Sequence, residues 1–69
     1  MEIFDKKQFI TNSTSTIREA LKVISSNNTG AVFVVGENER VLGIATDGDI
    51  RSALVSDASL SDTIEVALN

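Results

Sequence analysis

Cysteine and histidine are both absent from the 69 residues. Without the first there is no disulfide framework or cysteine zinc site, and without the second the commonest general base and metal ligand is gone. Catalysis by a triad is thereby nearly excluded. Tryptophan and tyrosine are missing too, and three aromatics, Phe4, Phe9 and Phe33, are few to serve as stacking platforms. Six basic residues face ten acidic ones for a net charge of −4, with no Lys/Arg cluster, which argues against general nucleic-acid binding. No apolar run approaches the roughly 18 residues of a membrane span, and the first ten residues lack the apolar stretch of a signal peptide. A soluble, cytoplasmic chain is the expectation, with no membrane partner. What is present is a composition 42% hydrophobic, enough for one thin core in one small domain.

From Met1 to Asn12 the apolar positions Ile3, Phe4, Phe9 and Ile10 surround a charged stretch too irregularly to define an element, although Phe9 to Thr11 suits a short strand. The run Asn12 to Thr16 is rich in side chains that bond their own backbone and has no glycine, so it suits the start of a helix better than a phosphate loop. Thr16 stands three before Glu19, the spacing of a capping box, which predicts a helix from about Ser15 or Thr16. Ile17, Ala20, Leu21 and Ile24 recur at i, i+3, i+4 and i+7 to form its buried face, leaving Arg18, Glu19, Lys22 and Ser25 to solvent. Asn27 to Gly30 ends it.

Ala31 to Val35 is an uninterrupted, mostly β-branched run that predicts a buried strand. A polar stretch from Gly36 to Arg40 separates it from a second apolar run, Val41 to Ala45, which favours an antiparallel hairpin, with Gly43 marking a bulge or close approach. Glu37 and Glu39 suit a solvated turn far better than a metal site. Thr46 to Asp49 reads as a break before Ile50, Ala53 and Leu54 resume helical spacing to about Val55. Ser56 to Asp62 is a polar connector, and Asp62 to Glu65 offers a further capping signal before a last helical turn. Helices on one face of so small a sheet leave the other face or an edge in need of a partner.

The string Gly43-Ile44-Ala45-Thr46-Asp47-Gly48-Asp49, preceded by AVFVV and followed by IRSAL, resembles the CBS domain over about residues 10–69. Gly43, Thr46 and Asp49 fill the places of the family's hallmark Gly, Thr or Ser, and Asp; the helix pattern TIREALKVI supports them. The resemblance implies an α+β fold, a β-α-β-β-α unit whose small sheet carries two helices on one face and which pairs with a second CBS unit into a Bateman module. It also implies a cleft for an adenosine nucleotide (AMP, ADP, ATP) or S-adenosylmethionine. By the family pattern Asp49 would hold the ribose and Thr46 would contact ribose or phosphate. Gly48 would let the backbone approach, Ile44 and the backbone around Thr11 would flank the base, and Arg51 is a candidate phosphate partner. No catalytic or metal-ligating residue is implied. The same Thr46 and Asp49 are also a complete helix cap that needs no ligand, and Asp47 suits a first-turn acid better than a ligand contact.

The core is expected at about residues 10–56, with 57–69 leading toward a second unit, so that the chain is half a module and an isolated copy forms a homodimer. TDGDIRSAL followed by SLSDTIEVALN is similar to the first unit of the CBS pair at the N-terminus of sugar-phosphate nucleotidyltransferases. Sugar-phosphate isomerases carry a similar string after their catalytic domain, and Met1 so near the unit favours the transferase. Ser52, Thr63 and Ala67 depart from that pattern, which usually has Arg, Pro and Met. The transferase's own glycine-rich loop has no counterpart, so a regulatory, non-enzymatic fragment is expected. The alternative is a ligand-free dimerisation scaffold.

Overall fold

The computed structural model describes residues 6–68; Ile3, Phe4 and the last position, Asn69, lie outside them. A single 3-10 turn, Lys6–Phe9, leads into strand β1, Ile10–Asn12. Helix α1 spans Ile17–Asn27, strands β2 and β3 span Ala31–Val35 and Val41–Thr46, and helix α2 spans Asp47–Val55. A final 3-10 turn covers Ile64–Ala67. The three strands lie in the order β1-β2-β3, with β1 parallel to β2 and β2 antiparallel to β3. This is the α+β unit expected.

Local chemistry explains each boundary. Thr16 caps α1: its hydroxyl accepts the Glu19 amide at 3.1 Å, and its own amide donates to Glu19 Oε1 at 2.9 Å. Such a cap is worth about 1 kcal/mol. Asn28 ends the helix in the left-handed region at φ 59°, a conformation asparagine tolerates. In the hairpin, Asn38 and Glu39 both take positive φ to turn the chain within five residues. Val34 faces Gly43 and Val35 faces Val41, so Leu42 is the extra residue of a bulge beside Gly43. Gly43 is also closely approached, since a Cβ there would stand 3.3 Å from Leu68 Cδ2.

Strand alternation decides which side of the sheet is covered. Val32, Val34, Ala45 and Thr11 are buried on the face that α1 and α2 cover, together with Ile17, Ala20, Ile24 and Ile50 from the helices. Ile10, Phe33 and Ile44 pair across all three strands on the opposite face, where Phe33 is 44% and Ile44 47% exposed. The helix-covered side of β2 is therefore fully buried, while on the other side Phe33 is half-exposed and only Val35, at the end of the strand, is buried. Sequence alone overstated the burial of β2 because an unpartnered apolar face and a covered one have the same composition.

Two further expectations need correction. Thr46 to Asp49 is no break: Thr46 is the cap and Asp47 to Asp49 the first turn of α2, so strand passes into helix without a loop. Nor does the capping signal at Asp62 form, since Asp62 Oδ2 accepts the Ser59 amide at 2.8 Å and Thr63 makes no side-chain cap. Instead the chain turns back along α1. The Ile17 amide donates to the Asp62 carbonyl at 2.8 Å, the Arg18 amide to the Leu60 carbonyl at 3.0 Å, and the Ile64 amide to the Ser15 carbonyl at 2.8 Å. Thr16 and Thr63 form an isolated antiparallel bridge. Ile64, fully buried, and Ala67 thus enter the core, which reaches past residue 56. Burying an isoleucine contributes about 1.5–3 kcal/mol, a large share for so small a domain.

Candidate functional site

The corner between β3 and α2 gathers three of the residues singled out by sequence. The Thr46 hydroxyl accepts the Asp49 amide at 3.1 Å while the Thr46 amide donates to Asp49 Oδ2 at 3.0 Å. Both bonds are partly shielded from solvent. Between these residues lies Gly48, whose missing side chain leaves the Thr46 hydroxyl the nearest atom to a Cβ placed there, at 3.7 Å. Asp47 donates its amide to the Gly30 carbonyl at 2.9 Å, which ties the start of α2 to the turn after α1.

Of the other candidates, Ile44 precedes Thr46 by two positions on the same face of β3 and Arg51 follows Asp49 by two on α2, whereas Thr11 lies two strands away. Thr11 is 7% exposed on the helix-covered face of β1, while Ile44 lies on the open face of β3. With β2 between them, their strands are about 10 Å apart. Arg51 is exposed on α2. Glu37 and Glu39 are exposed in the hairpin, with Glu39 Oε1 4.0 Å from Lys6 Nζ. Among the described residues no group of three or more acidic, cysteine or histidine side chains converges as a metal site would require.

Two features near the corner escaped the sequence. Along α2, Asp49, Ser52, Ala53 and Ser56 recur at helical spacing and face Val66, Ala67 and Leu68 across an open groove. Only the return of the chain after α2 creates that groove. Asn27 is a brace: its Nδ2 donates to the carbonyls of Gln8 at 2.7 Å and Ala31 at 3.1 Å, and its Oδ1 accepts from the Thr29 amide and hydroxyl at 2.9 and 2.8 Å. It links the turn before β1 to the start of β2, opposite Thr46 in the sheet register. The Asn-x-Thr spacing ahead of Gly30 was the available signal, since asparagine commonly bonds a backbone amide two residues on.

The described residues thus form a three-stranded sheet with two helices on one face and a self-capped strand-to-helix corner. Residues 2–56 match the CBS domain family, and the chain belongs to it. A CBS-domain-containing protein from Agrobacterium tumefaciens is 30% identical with a TM-score of 0.81, over 88% of this chain and 47% of its own. A CBS domain protein from Pyrobaculum aerophilum, solved in complex with AMP, shares the fold at a TM-score of 0.80 and 20% identity, over 97% of this chain and 56% of its own. A chloride channel protein of Arabidopsis thaliana is 32% identical over 59 residues, 86% of this chain. An uncharacterized protein of Chlamydia muridarum is 54% identical over 39 residues, 56% of this chain. The chain spans only 12% of the Chlamydia protein and 8% of the channel protein. No helix among the described residues is long and apolar enough to cross a membrane.

Proposed function

We propose that the chain is one unit of a paired CBS module that binds an adenosine nucleotide or S-adenosylmethionine in the cleft between units and passes the occupancy of that cleft to an attached protein. The observation that carries this is the Thr46–Asp49 corner, where a hydroxyl, a carboxylate and a glycine-backed helix start meet at the edge of a groove. A carboxylate there suits the paired hydroxyls of a ribose, which need an acceptor. The open face with Ile10, Phe33 and Ile44 supports pairing, with a second copy in isolation and a tandem unit in the parent, because an apolar row of this kind gains from burial against its like. Occupancy regulates only to the extent that the ligand binds one state of the attached protein better than the other.

The string TDGDIRSAL makes a sugar-phosphate nucleotidyltransferase the parent we favour, and it stands on that string alone. A ligand-free scaffold is the second reading. It is favoured by the reciprocal bonds of Thr46 and Asp49, which form a complete helix cap without any ligand. Calorimetric titration with AMP, ADP, ATP and S-adenosylmethionine, on wild type, Asp49→Ala and the cap-preserving Asp49→Asn, separates the two. The binding function predicts saturable binding of at least one ligand and its loss in both variants. A folded dimer, shown by sedimentation, that binds none of the four supports the scaffold.

A further inference from the structure

Positive charge is scarce in this chain and is gathered on one side of it. Six basic residues face ten acidic ones over the whole sequence, yet two grooves along α1 are lined by Lys7, Arg18 and Lys22 and by no carboxylate. The larger, of about 570 Å³, runs between α1 and the returning segment. Arg18, Leu21, Lys22 and Ser25 stand along it at i, i+3, i+4 and i+7, one strip of the helix, and Leu60 forms the opposite wall. Lys22 also lines the smaller groove, together with Lys7 and Val23.

Backbone bonds hold this wall in place. The Arg18 amide donates to the Leu60 carbonyl at 3.0 Å and the Ile17 amide to the Asp62 carbonyl at 2.8 Å. Leu21 and Leu60 are half-buried against the core and give the groove an apolar floor, while Arg18 and Lys22 are exposed at its rim. These cations are not spent within the unit. Glu19, the one acid of α1, is held by the Thr16 amide at 2.9 Å, and Asp62 Oδ2 by the Ser59 amide at 2.8 Å. Asp47 lines a different groove, toward α2. Among the described residues neither Arg18 nor Lys22 forms an ion pair. A single exposed cation is ordinary, but two of them one helical turn apart beside an apolar floor, on a chain of net charge −4, make a surface opposite in sign to the rest.

The shape of the surface restricts what covers it. The groove is lined by side chains, and the wall's carbonyls at Leu60 and Asp62 are already bonded to α1, so an extended peptide finds no ladder there for its backbone. A helix satisfies its own backbone and needs only side-chain partners. Arg18 and Lys22 lie about 6 Å apart along the axis of α1, the separation of two carboxylates four residues apart on another helix. A second copy does not supply such a helix, because α1 carries Glu19 alone and the acids of α2, Asp47 and Asp49, stand two apart. The strip points away from the open sheet face with Phe33 and Ile44, so a second unit seated on that face leaves it free.

On these grounds we propose that the outer face of α1 is a docking surface for an acidic amphipathic helix of a partner protein, one with carboxylates at i and i+4 flanking an apolar residue. Its carboxylates pair with Arg18 and Lys22, and its apolar residue covers Leu21 and Leu60. The surface is separate from the Thr46–Asp49 corner and works with or without a ligand there.

The test is an NMR titration of the isotope-labelled full chain with a synthetic helical peptide carrying glutamates at i and i+4 beside leucines. Its controls are the same peptide with lysine for glutamate, the same with serine for leucine, and phosphatidylserine vesicles. The acidic peptide should shift the amides of Arg18, Leu21, Lys22 and Leu60 saturably and bind at least about tenfold more tightly than either control peptide. Combined Arg18→Glu and Lys22→Glu should weaken it at least about tenfold and confer binding of the lysine peptide, with the urea midpoint unmoved because both side chains are exposed. Binding that survives the double reversal, or shifts that avoid α1, overturn the proposal. So does equal binding of the serine peptide, which would reduce the surface to unspecific charge, and tighter binding of the vesicles, which would put a lipid surface in place of a protein partner. No shift with the acidic peptide overturns it outright.

Discussion

The two helices of this domain begin in the same way and end up in different surroundings. Each is preceded by a threonine in extended conformation whose hydroxyl accepts the amide three residues on, and each returns a carboxylate to the threonine amide, Glu19 to Thr16 and Asp49 to Thr46. At α1 the returning segment closes over the cap, and the amides of Ile17 and Arg18 are bonded to the carbonyls of Asp62 and Leu60. At α2 the same segment stops short and forms the wall of a groove through Val66, Ala67 and Leu68. One capping box is thus a closed joint and the other is the rim of a cleft. A capping motif specifies where a helix starts, but what the chain lays beside it determines whether that start is available to a ligand.

The contrast can be broken most forcefully at Ile64. Ile64→Ala removes the fully buried anchor of the returning segment and should cost about 2–5 kcal/mol, comparable to the whole stability of a domain this size. Urea unfolding should show the midpoint collapsing, and a midpoint within experimental error of wild type would mean that the segment does not dock. Thr16→Ala and Thr46→Ala each remove a cap and should each lower stability by about 0.5–2 kcal/mol in thermal denaturation. The pair sharpens the comparison, because only Thr46→Ala should also weaken an adenosyl ligand. Equal loss of affinity in both would assign the effect to stability alone.

Phe33→Ser acts on the open sheet face. It removes a half-covered aromatic from the central strand and should cost the isolated fold about 1 kcal/mol, while shifting sedimentation toward the monomer. A dimer that persists unchanged would place the contact between copies elsewhere. The smallest effect belongs to Glu19→Gln, which keeps an acceptor for the Thr16 amide and removes a charge from the first turn of α1. About 0.3–1 kcal/mol or less should be lost, with no change in ligand affinity.

Much of this was legible in the chain. The spacing of Ile17, Ala20 and Ile24 specifies the buried side of α1, the Thr16–Glu19 pair specifies its start, and two β-branched runs around a five-residue polar turn specify the hairpin. The Thr46–Asp49 pair was equally visible, as both a cap and a ligand-binding pattern. Less legible was the start of α2, because Thr-Asp-Gly-Asp has the composition of a turn and only the continuation of helical spacing marks it as a first helical turn.

Local sequence alone determined the elements and their order, since capping, periodicity and turn chemistry act over three or four residues. Tertiary structure alone decided the rest. Phe33 and Ile44 are exposed while Val32 and Val34 are buried because helices cover one face of the sheet, a fact about neighbours distant in sequence. Ile64 reaches the core, and Leu68 comes to stand over Gly43 beside Asp49, because backbone bonds from Ser15, Ile17 and Arg18 draw residues 60–64 back across α1. Those pairings span more than forty positions, beyond the reach of any local pattern, and they complete the groove at the candidate site.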